Sequence, residues 1–170
     1  ELHRQATRDP LTGLANRRQI MAIAEYEHNR LARSKTQLGM VICDLDYFKN
    51  INDDRGHACG DEVLRRVAGV LVGTVRRQDQ VCRWGGEEFL ILLPNTSAEG
   101  AATVAEKARS AIGAERIECT SDEKREPFSV TMTFGVTSCG ADESLDDALR
   151  RADDALYEGK NAGRDRVVIA

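Results

Sequence analysis

A chain of 170 residues is long enough for one domain with a sizeable core and short for two. Apolar residues make up 41% and charged residues 31%, the balance of a soluble globular protein. The formal net charge of −4 gives no field that would gather nucleic acid or an anionic membrane, so a polyanionic ligand would need local cations or metal ions.

Within one expected domain over 1–170, the opening ELHRQATRDP reads like the end of an upstream signalling helix or linker (residues 1–8). After a turn at Asp9-Pro10-Leu11-Thr12-Gly13, apolar residues at 20, 21, 23, 24 and 31 predict a helix from about Ala15 to Arg33. The continuous apolar run LGMVICDLD (38–46) predicts a buried strand that ends in acids. GDEVLRRVAGVLVGTVR places Val63, Leu64, Val67, Leu71 and Val75 on one helical face. QVCRW and EEFLILLP, either side of Gly85-Gly86, predict a hairpin whose glycines can take positive φ and let backbone approach a ligand. Thr96-Ser97-Ala98-Glu99 has the form of a capping box opening a helix to about Ala114. A polar loop (121–126) precedes the alternating run FSVTMTFGVTS, Ser144 caps a helix with Leu145, Ala148, Leu149, Ala152 and Leu156 inward, and RVVIA closes the chain as a short strand. The order α-β-α-β-β-α-β-α-β predicts an α/β (α+β) fold, a mixed central sheet of about five strands flanked by helices.

Cysteines at 43, 59, 82, 119 and 139, with no C-x-x-C pair, predict reduced thiols in a cytoplasmic setting, mostly small core residues. His3, His28 and His57 are isolated and form no H-E-x-x-H zinc pattern. No apolar run approaches the roughly 18 residues of a membrane span, and these residues predict no signal peptide.

Four clusters carry chemistry. Asp44 and Asp46 are two apart, on one face of an extended chain, and Glu87 and Glu88 open another strand. Two or three carboxylates converging at a sheet end repel one another unless a divalent cation is present, and Mg²⁺ suits carboxylates shared with phosphate oxygens. Lys160 and Arg164, four apart at the end of the last helix, could present cations together, although the helix dipole alone would favour them there. Asn52 and Asp61 flank a glycine-bearing loop, Asp61 in the first turn of the next helix. A carboxylate and a carboxamide suit guanine, whose edge pairs N–H donors with an acceptor; adenine would leave them unpaired.

Taken together, DPLTGLANRR (9–18), DLDYFKNINDDRGHACGD (44–61), RWGGEEF (83–89) and ADDALYEGKNAGRD (152–165) resemble the GGDEF-domain diguanylate cyclases over nearly the whole chain. That family condenses two GTP into cyclic di-GMP with release of two pyrophosphates. Its fold is related to the palm of class III nucleotidyl cyclases and polymerases. The resemblance implies that Asp44, the Leu45 carbonyl and Glu87 hold two Mg²⁺ ions, with Mn²⁺ as a substitute. Glu87 or Glu88 would help deprotonate the attacking 3′-hydroxyl. Asn52 and Asp61 would read guanine, with His57 in the same nucleotide-site loop. Lys49, the backbone of Tyr47 and Phe48, Lys160 and Arg164 would hold the triphosphate, and Gly85 and Gly86 would make room for nucleotide. Arg76 and Asp79 stand at the spacing of the family's R-x-x-D inhibitory site for product, where Lys107 takes the place of a frequent arginine. Trp84 replaces a more usual tyrosine and Asp165 a frequent asparagine. The resemblance further implies a homodimer of half-sites, cytoplasmic action, and an upstream sensor or receiver through which a longer protein could be membrane-anchored. A catalytically dead receptor for cyclic di-GMP, or a synthase of adenine-containing cyclic dinucleotides, are the alternatives. The intact signature argues against the first and Asp61 against the second.

Overall fold

The computed structural model describes residues 6–123 and 126–170. The elements are α1 (Arg17–Ser34), β1 (Leu38–Leu45), α2 (Phe48–Arg55), α3 (His57–Thr74), β2 (Gln80–Arg83), β3 (Glu88–Pro94), α4 (Ala98–Ala114), β4 (Met132–Cys139), α5 (Leu145–Asn161) and β5 (Val167–Ile169). The strands form one mixed sheet in the order β2-β3-β1-β4-β5, antiparallel throughout except for the parallel pair β4 and β5.

Strand β1 lies between β3 and β4 and is buried along its whole length, which is why its sequence is a continuous apolar run rather than an alternation. The two-residue side-chain period still decides which core each residue joins. Val41, Cys43 and Leu45 pack with α3 and α4, whereas Leu38, Met40 and Ile42 pack with α1 and α5. Three helices start on capping side chains: Asn16 accepts from the Gln19 N–H at 3.0 Å, Ser97 from Gly100 at 3.1 Å, and Ser144 from Asp147 at 3.1 Å. Helix α5 is pressed so closely onto β4 that a Cβ on Gly135 would lie 2.1 Å from the Ala152 carbonyl oxygen.

Several expectations are corrected. Helix α2 is absent from the expected element order; it is short, and only Phe48 and Ile51 pack on the core, neither fully buried, so its apolar stripe is too brief to signal a helix. The capping residue of α4 is Ser97, not Thr96, whose hydroxyl donates instead to the Pro94 carbonyl at 2.9 Å. Strand β4 begins at Met132, because Phe128 pairs with Ile117 in a separate antiparallel bridge. Residues 1–5 of the expected helix or linker, and residues 124–125 of the polar loop, lie outside the described residues; residues 6–8 are not helical, and Arg8 bridges to Ala15. The cysteines are not all thiols. Cys59 and Cys119 form a disulfide, their Cα atoms 5.3 Å apart, because the segment after α4 crosses the first turns of α3. Cys43, Cys82 and Cys139 are buried free thiols, as expected. Among the described residues no helix is long and apolar enough to cross a membrane.

Candidate active site

Where β1 leaves the sheet, a cavity of about 240 Å³ opens between the turn into α2, the Glu87 loop and the end of α5. Asp44, Leu45, Tyr47, Phe48, Lys49, Glu87, Lys160 and Arg164 all line it. Residues up to 120 positions apart in the chain are thus gathered at one sheet end.

The two aspartates of the strand end have separate duties. Asp46 accepts hydrogen bonds from the hydroxyls of Thr131 (2.6 Å) and Thr133 (2.7 Å) and from the Asp165 backbone N–H (3.0 Å), so it fastens three chain segments together. Asp44 is buried and forms an ion pair with Lys160 from α5. Burial drives its pKa up from 3.8 to about 6; the hydrogen bond and charge of Lys160 oppose the rise, while Glu87 and Glu88 add to it.

The hairpin is clamped by a residue whose role the sequence did not reveal. The Arg83 guanidinium donates to the Gly86 carbonyl through Nε (3.1 Å) and Nη2 (2.9 Å), and to Asp9 Oδ1 through Nη1 (3.1 Å). The Trp84 and Gly85 N–H groups donate to the Glu88 carbonyl at 2.8 and 3.2 Å, and the Arg17 guanidinium lies 4.0 Å from the centre of the Trp84 ring. Both Arg83 and Asp9 stood within recognised motifs, but nothing in their spacing linked them. Neither Gly85 nor Gly86 has positive φ, which corrects that expectation. A Cβ on Gly86 would meet nothing within 4 Å, and one on Gly85 would approach Glu88 Oε2 to 3.1 Å. The adjacent glutamates diverge: Glu87 lines the Asp44 cavity, and Glu88 lines a larger cleft with Arg17, Ile42 and Trp84. Accordingly, among the described residues no group of three or more carboxylate, imidazole or thiol side chains converges as a metal site. Asp44, Asp46 and Glu87 line the cavity with Leu45, but Asp46 is taken up by Thr131 and Thr133, which leaves Asp44 and Glu87 to face a ligand.

Lys160 and Arg164 meet there, but not through helical i, i+4 spacing. Helix α5 ends at Asn161; Arg164 follows it with φ of 62°, and its guanidinium stacks 4.7 Å from the centre of the Tyr47 ring. Tyr47, itself at φ 56°, precedes α2 without a side-chain cap, so the first N–H groups of that helix are available beside the two cations. Asn52 lies on α2 and Asp61 on α3, outside the cavity lining; Asp61 is in the second turn, since α3 starts at the exposed His57. The expected loop between them is the single corner residue Gly56, at φ 88°. The Asn52 amide packs on the α3 backbone so tightly that a Cβ on Gly60 would lie 1.9 Å from Asn52 Oδ1.

Arg76 and Asp79 sit at the far end of the sheet, before β2. Arg76 grips the buried Asp79 carboxylate with Nε (3.1 Å) and Nη2 (2.9 Å), and Nη2 also donates to Thr96 Oγ1 (2.9 Å). The guanidinium is still half exposed. Lys107 is exposed on α4, two residues from Arg109, which pairs with Glu106 and Asp165.

The family model described as "Diguanylate cyclase, GGDEF domain" matches residues 6–166. The chain belongs to the GGDEF-domain family. Within it, the chain is 43% identical over 166 residues to diguanylate cyclase DgcP of Pseudomonas aeruginosa (98% of this chain, 24% of the relative). It is 39% identical over 170 residues to diguanylate cyclase DgcM of Escherichia coli (100% and 40%). The crystal structure of the GGDEF domain of DgcB from Caulobacter crescentus, in complex with c-di-GMP, superposes with a TM-score of 0.92 at 32% identity, covering 99% of this chain and 96% of that one. The GGDEF domain described here therefore spans about a quarter to two fifths of the length of these curated relatives.

Proposed function

We propose that this GGDEF domain is a diguanylate cyclase that condenses two GTP into cyclic di-GMP and releases two pyrophosphates. The observation that carries the reading is the convergence of Asp44, Glu87, Lys160, Arg164 and the open N-terminus of α2 on one cavity. Family membership and the c-di-GMP complex of the DgcB domain support it.

The donor set fits a divalent cation: a buried carboxylate with a pKa raised to about 6, a second carboxylate, and a strand-end carbonyl. Asp44, the Leu45 carbonyl and Glu87 would hold Mg²⁺, two ions per site, or Mn²⁺. Such ions, when bound, activate a hydroxyl and neutralise a leaving pyrophosphate. The chain's own residues do the rest. Lys49, Lys160, Arg164 and the N–H groups of α2 bind and align the triphosphate. Asn52 and Asp61 read the guanine edge beside His57, and Gly86 leaves the hairpin face open to nucleotide. Glu87, on the cavity side, is assigned to the 3′-hydroxyl in preference to Glu88. One domain holds one GTP, so two domains must face each other as a homodimer. The site for product inhibition is assigned to Arg76 and Asp79, with Lys107 of a second domain. Since relatives are longer, an upstream sensor or receiver is assigned the control of dimer formation. We place the domain in the cytoplasm, where GTP is.

Incubation with GTP and Mg²⁺ at high protein concentration should yield cyclic di-GMP on a chromatogram. Tight binding of cyclic di-GMP with no synthesis would replace this reading with that of a receptor. Metal binding should depend on pH in a stated direction. Asp44 must be deprotonated to hold a cation, so Mg²⁺ affinity measured by calorimetry should be full above pH about 6. Below it, affinity should fall by about tenfold per unit. Without metal the sign reverses for stability, because the folded form takes up this proton more readily than the unfolded chain. Its contribution then weakens as pH rises from 3.8 through about 6. Replacing Arg76 by alanine should weaken cyclic di-GMP binding at least about tenfold with GTP affinity unchanged, and should lower stability by about 2 kcal/mol because buried Asp79 loses its fork. Unchanged product affinity would remove the inhibitory-site assignment.

A further inference from the structure

The disulfide lies against the corner that the proposed function assigns to guanine. Cys59 is in the first turns of α3, two residues after His57 and two before Asp61, and Asn52 packs on the backbone of the next residue, Gly60. Its partner Cys119 belongs to the segment that follows α4. The same segment holds both sides of the corner by other bonds. On the α3 side, Glu62 accepts from the Thr120 N–H (2.9 Å) and from its hydroxyl (2.5 Å). On the α2 side, Arg55 pairs with Asp122 at 2.6 Å and stacks 4.0 Å from the centre of the Phe128 ring. The disulfide thus adds a covalent link to a segment already arranged as a brace for the α2–α3 corner.

We propose that Cys59 and Cys119 are a redox modification site, and that their oxidation to the disulfide braces the guanine-reading corner and tightens GTP binding. The inference rests on the cyclase reading of Asn52 and Asp61. In a reducing cytoplasm such pairs are used as transient switches rather than as permanent staples. The oxidant is a peroxide. The Cys119 thiol, on irregular backbone that opens more readily than a helix, attacks one peroxide oxygen, giving a sulfenic acid and one water. The Cys59 thiol then displaces the hydroxyl as a second water, forming the S–S bond. Two thiols are oxidised by two electrons and one peroxide is reduced. Cys59 and Cys119 are themselves buried, so oxidation proceeds when the segment after α4 opens, and selectivity comes from their proximity, Cα atoms 5.3 Å apart, which lets the second thiol capture the sulfenic acid.

Thiol counting and calorimetry on wild-type protein test the proposal. Unfolded after dithiothreitol, the chain should show five thiols, and after mild peroxide three, the five cysteines less the bonded pair. Reduction should weaken 3′-deoxy-GTP, which cannot be cyclised, about tenfold, because the corner must then be ordered on binding. Inorganic pyrophosphate, which does not touch the corner, should hold within about twofold. The melting temperature should fall by about 5–10 °C on reduction. Cys119→Ser should behave as reduced protein whether or not peroxide is added; if that variant does not fold, the wild-type comparison alone decides. Five thiols after peroxide, equal 3′-deoxy-GTP affinity in the two states, or equal weakening of both probes would each overturn the proposal. Failure of the cyclase reading looks different: 3′-deoxy-GTP would bind no better than 3′-deoxy-ATP in either redox state.

Discussion

Glu87→Ala is expected to reduce cyclic di-GMP synthesis by at least about 10³-fold, roughly 4 kcal/mol of barrier, while leaving the fold intact. Glu87 contributes its backbone to the hairpin, with its carbonyl accepting from the Leu45 N–H at 3.3 Å, and that bond survives truncation of the side chain. Its carboxylate lines the Asp44 cavity and raises the Asp44 pKa, so it stands where a metal and an attacking hydroxyl must meet. Removing it should lower kcat, weaken Mg²⁺ binding, and shift the Asp44 titration downward. The melting temperature should stay within about 2 °C, as for a substitution outside the core. Glu88→Ala should cost less activity, because Glu88 opens onto the cleft with Arg17 and Trp84. Retention of more than a tenth of wild-type synthesis by the Glu87 variant would remove it from the chemistry.

The largest effect on stability is expected from a position with no chemistry. At Gly135 an added Cβ would lie 2.1 Å from the Ala152 carbonyl oxygen and 2.4 Å from the Leu156 nitrogen, backbone atoms that can retreat only if the whole of α5 moves. Gly135→Ala should therefore cost about 3–5 kcal/mol, and thermal unfolding should shift down by about 10 °C or more. Helix α5 also carries Lys160, so any folded remnant should bind triphosphate poorly. Gly69→Ala is the matched control. Gly69 lies inside α3 with nothing within 4 Å of an added Cβ, so alanine there should raise stability by about 0.5–1 kcal/mol through helix propensity. A Gly135 variant that melts with wild type would show that α5 is not seated on β4 as described.

Legibility differed between parts of the molecule for identifiable reasons. Helix α5 was readable because its sequence carries both signals of an amphipathic helix, Ser144 as cap and Ala148, Ala152 and Leu156 in register. Helix α2 has no side-chain cap and only Phe48 and Ile51, both part-buried, to pack on the core between β1 and α3. The cation pair Lys160 and Arg164 was identified for the wrong reason. The two do line one cavity, yet a left-handed turn after the helix, rather than helical spacing, brings Arg164 over Tyr47. The Arg83 clamp was hidden because its two acceptors, Gly86 and Asp9, lie 3 and 74 residues away in the chain.

Taken alone, the sequence determined most of the element types, the five strands and the family, because periodicity, caps and contiguous motifs are local properties of the chain. It also identified the acids and cations that share the cavity. Only the tertiary structure decided their division of labour. It set Glu87 and Glu88 into different clefts, gave Asp46 to Thr131 and Thr133, and buried Asp44 against Lys160, 116 residues away. It likewise joined Cys59 to Cys119 across 60 residues. Those outcomes depend on strand pairing and helix docking between distant segments, and no short-range pattern in a chain encodes which side chains such packing will bring into contact.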